Sequence, residues 1–350
     1  MTSSPGRPPA PAARTTATAS ATDQDPAEVR ETLHVQGRPR TMTVLQILHR
    51  PTDHPHATPD ESPTAPPTTT PDAGPGTAAP APVVLLLHGS NQTGEKLRAF
   101  TGRAFDRLAT AHGAVVAYLD GHKGHWNDAR VSNAFAARTE GYDDVAFVRA
   151  AVERLVERYG GDPARVHAVG YSNGGQMVIR LVHEIPDLLA GAAVLSATQP
   201  APENFAPHET RDRPVPVMFV HGTKDPLVPY AGGMASMWGF RPRGLGLSAP
   251  ETARYYARRN GITAPPATET VPTGTPAGRR ARTSVEATRY GEPGRAPVVL
   301  YTVHGGGHTV PGTRRAPFLM GRTDLGFDTV AATAAFFRLP GDRAGRPARS

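Results

Sequence analysis

The sequence predicts an α/β fold, with a mostly parallel central sheet covered by helices on both faces. Short apolar runs alternate along the chain with stretches of helical period, which is the order typical of such a sheet. The run 82–87 is apolar at every position, as expected of a parallel strand buried on both faces. Residues 31–49 add two alternating strands around a Gly-Arg turn, which predicts an N-terminal antiparallel hairpin.

The remaining elements follow from the period of the apolar residues. Between 143 and 159, for example, Val145, Val148 and Val152 recur at helical spacing and predict one buried stripe. We expect, in order, helix 98–111, strand 114–119, helix 143–159, strand 166–169, helix 176–182, strand 192–195, strand 216–221, helix 251–259, strand 298–303 and helix 329–337.

The 350 residues suffice for one large domain, which we place at 31–340. Residues 1–30, rich in Ala, Thr and Pro, predict a disordered N-terminal segment. Residues 51–81 contain almost no large apolar side chain and predict a disordered insertion within the domain. The Gly-, Pro- and Arg-rich segment 231–295 is a possible lid or cap, and 341–350 is expected to be a polar tail.

Composition excludes several classes of function. The chain has no cysteine, so disulfides, thiolate metal sites and a cysteine nucleophile are excluded. The net charge of +7 comes mostly from scattered arginines, which indicates a basic solvated surface and no nucleic-acid partner. Neither a secretory signal nor a membrane-spanning run is found, so we expect a cytoplasmic protein, or a secreted one if the start is misassigned.

The central motif is Gly170-Tyr171-Ser172-Asn173-Gly174, preceded by an apolar run and followed by a helical pattern. Strand, sharp turn and helix are the setting in which Gly-x-Ser-x-Gly forms a nucleophile elbow. Glycines flank the serine because a Cβ at those positions would collide with the crossing strand and helix. The sequence therefore predicts Ser172 as a nucleophile.

A serine nucleophile needs a base to take its proton and an acid to orient that base. Asp225 follows one predicted strand and His308 follows the next, so both should meet Ser172 at the carboxyl edge of the sheet. Ser, Asp and His in this chain order are typical of α/β-hydrolases. His304 is the rival base, with a packed structural role as its alternative.

Two further aspartates, Asp212 and Asp324, are rival acids, but neither directly follows a predicted strand. Acyl transfer also needs hydrogen-bond donors for the oxyanion. We expect the backbone N–H of Asn173, at a helix N-terminus, and that of Ser90, in the turn after the first core strand. Trp126 and Tyr171 are candidates to line the acyl or alcohol pocket, although Trp126 is equally interpretable as a packed loop residue.

These motifs resemble those of the α/β-hydrolase esterases grouped with polyhydroxybutyrate depolymerases and with feruloyl or acetylxylan esterases. The matching stretches are 87–94, 126–127, 143–148, 162–166, 170–175, 221–230 and 306–312. The resemblance implies the α/β-hydrolase fold and a Ser172, Asp225 and His308 triad. The chain departs from the pattern at Ser90, where members commonly have cysteine, and at Val310, where they have tryptophan.

Together the residues and the resemblance predict a serine carboxylic-ester hydrolase working through an acyl-enzyme on small soluble esters of short acyl or phenolic type. The alternatives are a polyhydroxyalkanoate depolymerase, a serine peptidase of the same fold, and a non-catalytic binding module. We expect a small-molecule ester as the partner, with no membrane, no cofactor and no metal. The sequence does not indicate an oligomeric state.

Overall fold

The computed structural model of the protein describes residues 26–47, 79–207, 210–236, 239–272, 274 and 282–341. The predictions for the N-terminal segment up to residue 25, for 51–78 of the insertion and for the tail from 342 lie outside these residues.

Ten strands form one sheet, and two more form a short separate hairpin. The strands are β1 Ala27–Val35, β2 Arg38–Gln46, β3 Ala81–Leu87, β4 Val115–Leu119, β5 Gly161–Tyr171, β6 Gly191–Leu195, β7 Val217–Gly222, β8 Gly233–Met234, β9 Leu245–Gly246, β10 Ala267–Val271, β11 Ser284–Tyr290 and β12 Val298–His304. The sheet order is β1-β2-β4-β3-β5-β6-β7-β12-β11-β10, with β8 and β9 forming the hairpin.

The six central strands, from β4 to β12, run parallel. At one edge β1 and β2 form the predicted antiparallel hairpin, and β2 pairs antiparallel with β4. At the other edge β11 and β10 also pair antiparallel. The predicted fold, a mostly parallel sheet with an N-terminal hairpin, is therefore confirmed.

Helices cover both faces of this sheet. They are α1 Gly94–Phe100, α2 Arg107–Thr110, α3 Ala136–Thr139, α4 Asp144–Tyr159, α5 Asn173–Glu184, α6 Ala249–Arg259 and α7 Thr329–Phe336. Alternate residues of β3 enter two different apolar cores. Leu85 belongs to the core that contains residues of α4, α5 and α6, whereas Leu86 belongs to the core that contains residues of α1, α2 and α7. The two cores explain why this strand is apolar at every position.

No helix among the described residues is both long and apolar enough to cross a membrane.

Several predicted boundaries were wrong. Strand β1 begins at Ala27, so the end of the segment 1–30 is paired with β2 and not disordered. Ala81, placed in the insertion, begins β3. The single helix expected over 98–111 is broken, since α1 ends at Phe100 and α2 starts only at Arg107. Gly102 and Arg103, with φ of 65° and 60°, adopt the left-handed conformation that interrupts it.

The possible lid over 231–295 was drawn too widely. Helix α6 packs on β7 and β12 with Tyr256 fully buried, and β10 and β11 extend the main sheet. These parts are therefore elements of the domain. Among the described residues of this segment, the stretch that contains β8 and β9 lines the cavity described below.

Three buried histidines make stability depend on pH. Burial lowers the pKa of His88, His167 and His183 to about 4, whereas the free side chain titrates near 6.5. Between these values the unfolded chain binds protons that the folded chain does not, so stability is lost as pH falls from 6.5 to 4. Each group contributes up to about 1.4 kcal/mol per pH unit.

We therefore expect the melting temperature to fall steadily over this range. The variant His167→Gln should reduce the slope, because it removes one of the groups whose pKa burial lowers. A wild-type melting temperature that stays constant down to pH 4.5 would contradict this account.

Candidate active site

The turn between β5 and α5 holds Ser172 in an unusual backbone conformation, with φ of 54° and ψ of −114°. A Cβ on Gly170 would lie 2.2 Å from the carbonyl oxygen of Gly174, and a Cβ on Gly174 would lie 2.1 Å from that of Leu87. Only glycine fits at either position, because the strand and the helix cross there without room for a side chain. The turn lifts the Ser172 side chain above the carboxyl edge of the sheet.

Ser172, His308 and Asp225 form one chain of hydrogen bonds. The hydroxyl oxygen Oγ of Ser172 lies 2.8 Å from Nε2 of His308, and Nδ1 of His308 lies 2.7 Å from Oδ2 of Asp225. His308 and Asp225 are both buried. The arrangement can transfer a proton from the serine to a histidine whose orientation the carboxylate fixes.

Asp225 is held in place by the loop that follows β7. Its Oδ1 accepts hydrogen bonds from the backbone N–H groups of Leu227 and Val228, both at 2.8 Å. Burial opposes ionisation of this carboxyl, but His308 and these N–H groups outweigh it, and the net effect lowers the pKa of Asp225. The carboxylate is therefore ionised at neutral pH and available to pair with an imidazolium.

The rival residues lie elsewhere. His304 ends β12 with 48% of its side chain exposed and pairs loosely with Glu286 at 3.9 Å, so it is not the packed histidine that was expected. Asp324 accepts hydrogen bonds from the N–H groups of Gly326 and Phe327, and the exposed Asp212 lies 3.5 Å from Arg259. None of the three takes part in the chain of hydrogen bonds at Ser172.

The two predicted oxyanion donors line the same cavity as Ser172. The N–H of Asn173 is the first of α5 and has no partner within the helix. The N–H of Ser90 makes no hydrogen bond within the described part of the chain. Both groups are thus free to donate to an oxygen in the cavity.

Trp126 does not line the cavity, and its prediction as a substrate-binding residue was wrong. It is fully buried in the core. Its Nε1–H donates to the carbonyl of His88 at 2.9 Å, and its backbone N–H donates to the side-chain oxygen of Asn173 at 2.9 Å. Trp126 therefore supports, from below, the two turns that carry the oxyanion donors.

Substitution of Trp126 should accordingly act on the scaffold. Trp126→Ala is expected to destabilise the fold by about 3–5 kcal/mol, because it leaves a large cavity in the core. It should lower the rates on an aromatic ester and on an acetyl ester by the same factor. Thermal unfolding and the two rates, measured on the same preparation, check this. A larger loss of rate on the aromatic ester would indicate that Trp126 contacts the substrate.

Tyr171 borders the cavity but is 2% exposed. Its hydroxyl donates to the carbonyl oxygen of His308 at 2.8 Å, and its ring stacks on Phe100 at 5.2 Å. Burial raises the pKa of this phenol well above 10.0. Tyr171 thus holds the His308 loop, and it presents little surface to a substrate.

The cavity has a volume of about 240 Å³. It is lined by the turn between β5 and α5, by the loops that follow β3, β4, β6, β7 and β12, and by the β8–β9 hairpin. Sequence reasoning missed several residues that line it: Arg130, Phe135, Gln176, Asn204 and Arg243. Asn204 joins two of its walls, because its side chain accepts from Ser132 N–H at 3.0 Å and donates to the carbonyl of Leu245 at 3.0 Å.

A signal for Arg130 existed in the sequence, because it lies three residues after the Trp126-Asn127 stretch that the resemblance singled out. Arg243, inside the Gly- and Pro-rich segment, had none.

In the described ranges, no group of three or more His, Asp or Glu side chains is arranged to hold a metal ion.

Comparison with known proteins agrees with this geometry. The phospholipase/carboxylesterase family matches residues 74–237. NocK of Nocardia uniformis subsp. tsuyamanensis, a protein assigned to the esterases, is 34% identical over 268 residues, covering 74% of this chain and 74% of NocK. Feruloyl esterase B of Piromyces equi is 30% identical over 167 residues, which cover 47% of this chain and 30% of that protein.

Among solved structures, the acetyl xylan esterase from Aspergillus awamori superposes with a TM-score of 0.53. The match covers 89% of this chain and 99% of that one at 15% identity, so it shows the fold alone. The likeness to NocK extends over about three quarters of both chains, 74% of each. The chain therefore belongs to the α/β-hydrolase esterases, and it is a carboxylic ester hydrolase.

Proposed function

We propose that the protein hydrolyses small soluble esters, of short acyl or phenolic type, through an acyl-enzyme on Ser172. The observation that carries this proposal is the hydrogen-bonded chain from Ser172 through His308 to Asp225, which opens into the small cavity. Two free N–H groups, those of Ser90 and Asn173, border the same space.

In the first half-reaction, Nε2 of His308 takes the proton of Ser172 as Oγ attacks the ester carbonyl carbon. The oxyanion that forms accepts hydrogen bonds from the N–H groups of Ser90 and Asn173. The tetrahedral intermediate collapses, the C–O bond to the alcohol breaks, and the alcohol leaves with the proton from His308. In the second half-reaction His308 takes a proton from water as the water oxygen attacks the acyl carbon. The bond from this carbon to Oγ then breaks, the acid is released, and His308 returns the proton to Ser172.

The size of the cavity supports the choice of a small substrate. Its volume of about 240 Å³ lies below the roughly 300–1,000 Å³ of sites for drug-sized ligands. The β8–β9 hairpin is joined to the loop after β6 by hydrogen bonds from Ala201 N–H to the Leu245 carbonyl and from Leu247 N–H to the Gln199 carbonyl. A wall fixed in this way favours a short ester over a long polymer chain.

A second candidate, a polyhydroxyalkanoate depolymerase, is favoured by one specific feature. Phe318 and Leu319 are 93% and 63% exposed, and they directly precede Met320, which lines the cavity. Exposed apolar side chains beside an active site are suited to contact with an apolar surface.

The two candidates are separated by a substrate panel with the purified protein. We expect turnover of 4-nitrophenyl acetate, 4-nitrophenyl butyrate and methyl ferulate, little action on a peptide amide, and no clearing of a polyhydroxybutyrate suspension. Efficient clearing of the suspension, reduced by Phe318→Ser, would favour the depolymerase instead. Cleavage of the amide at a rate similar to the esters would favour a peptidase.

A further inference from the structure

The cavity around Ser172 has an uneven distribution of charge. Two arginines, Arg130 and Arg243, line it, and no aspartate or glutamate is among its described lining residues. The basic groups lie on the side formed by the loop after β4 and the β8–β9 hairpin. The ground state of a neutral ester carries no charge that could pair with a cation in this position.

Arg130 is already neutralised. Its Nε and Nη2 donate to Oδ1 and Oδ2 of Asp128 at 3.1 and 2.5 Å. The other bonds to this buried carboxylate come from the backbone N–H of Arg130 at 2.9 Å and from Nδ2 of Asn173 at 2.5 Å. The Asp128 oxygens are thus fully engaged, and they connect Arg130 to the residue that follows Ser172.

Arg243 has no such partner. Within the described residues its guanidinium makes neither an ion pair nor a hydrogen bond, although it is only partly exposed. The charged groups that act on it are Arg130, Arg241 and Asp128, and burial together with Arg130 lowers the pKa of Arg243. Among the described residues, one positive charge in the wall of the cavity therefore has no carboxylate partner.

The position of Arg243 is fixed in spite of this. Its guanidinium carbon lies 4.3 Å from the ring centre of Phe135, an arrangement that holds an arginine over an aromatic face. Its backbone N–H donates to the Ala235 carbonyl at 2.7 Å, and its carbonyl accepts from Oγ of Ser132 at 2.6 Å. The neighbouring Gly244 packs too closely on Asn204 and Ser132 to admit a Cβ.

From these contacts we propose that Arg243 binds a carboxylate carried by the ester substrate, so that the enzyme prefers esters that bear one negative charge. The inference rests on the proposed function, since it concerns the substrate of the same cavity. An arginine presents paired N–H groups that match a carboxylate, and a stacked, preordered one loses little side-chain freedom on binding. The carboxylate belongs either to the acyl part or to the alcohol part of the ester.

Two pairs of substrates distinguish these sources. For the acyl side, 4-nitrophenyl hydrogen glutarate is compared with its neutral half-amide. For the alcohol side, 4-acetoxybenzoate is compared with 4-acetoxybenzamide. In wild-type protein at low salt we expect kcat/KM to be higher for the acid than for the amide in one of the two pairs, by roughly tenfold or more. A ratio of this size corresponds to the strength of a hydrogen bond to a charged group. The preference should shrink as sodium chloride is added.

The ratio of acid to amide is then measured in Arg243→Gln and in the matched control Arg241→Gln. Arg241 lies on the same connection, outside the cavity, so both variants lose one positive charge from this region. We expect the preference to disappear in Arg243→Gln and to persist in Arg241→Gln. An equal loss in both would assign the effect to net charge and overturn the proposal.

If Arg243→Gln fails to fold, inhibition of the wild-type protein decides the question. We expect 4-hydroxybenzoate or glutarate to inhibit the hydrolysis of a neutral ester more strongly than the corresponding amide. Neither a preference nor such inhibition in either pair would overturn the proposal, even if neutral esters are hydrolysed well. Failure of the proposed function has a different signature, namely no turnover of any ester and no acylation of Ser172.

Discussion

Ser172→Ala should reduce ester hydrolysis by roughly 10⁴-fold or more, because it removes the attacking oxygen. The fold should remain intact. Within the described residues the Ser172 side chain hydrogen-bonds to His308 alone, and alanine tolerates a φ of 54° about as well as serine does. The expected result is a variant with a wild-type melting temperature. Its residual hydrolysis of 4-nitrophenyl butyrate should be the slow rate that substrate binding and the oxyanion donors provide without the nucleophile.

Ser196 offers a matched control for this substitution. It directly follows the central strand β6, as Ser172 follows β5, has a φ of 52°, and donates from Oγ to the Thr309 carbonyl at 3.2 Å. Ser196→Ala removes a buried hydroxyl of the same kind outside the cavity and should retain most of the activity. Substantial turnover by a well-folded Ser172→Ala protein would show that the elbow serine is not the nucleophile.

His308→Ala should lower kcat/KM by at least about three orders of magnitude, since it removes the base that accepts the serine proton. His304→Ala serves as the control. That side chain is half-exposed and lies 3.9 Å from Glu286, outside the chain of hydrogen bonds at Ser172, so its loss should change the rate little. Both variants are compared on one neutral ester at a pH at which the wild-type rate is constant.

The opposite pattern, with a large loss in His304→Ala and a small one in His308→Ala, would reject the role assigned to the loop after β12. A large loss in both variants would require a check of folding, because Tyr171 and the backbone around His308 hold that loop together. Near-ultraviolet circular dichroism separates this effect from a chemical one.

Much of this site could be predicted from the sequence because its parts lie at strand ends. Parallel strands bring their carboxyl ends to one edge, so Ser172, Asp225 and His308 were expected to meet there from chain order alone. Gly170 and Gly174 likewise predict the sharp turn at Ser172, because a Cβ at either position would overlap backbone atoms. Local sequence determines these features, and the structure brings the three side chains together.

Trp126 was misplaced for an equally physical reason. An aromatic side chain in a loop is compatible with a pocket wall or with the core, and only the tertiary fold decides between them. The Trp126 indole is buried because its N–H can reach the carbonyl of His88, a contact between residues 38 positions apart. Sequence spacing does not reveal such a bond.

Arg243 was missed because the stretch around it has no regular period, and its position depends on Phe135, more than a hundred residues earlier. The strands β10 and β11 are a different case. Buried and exposed residues alternate along part of β11, from Ser284 to Ala287, so a strand pattern was present in a segment taken as a possible lid. That error came from composition, since the surrounding Gly, Pro and Arg residues suggested a loop.

The central claim, an acyl-enzyme on Ser172, is tested most directly by mass spectrometry. The protein is quenched in acid while it turns over a 4-nitrophenyl ester whose acyl group is released slowly, and the digested peptides are then weighed. We predict one equivalent of acyl group on the peptide that contains Ser172, and none in Ser172→Ala. Continued turnover without an adduct, or an adduct on another residue, would contradict the account.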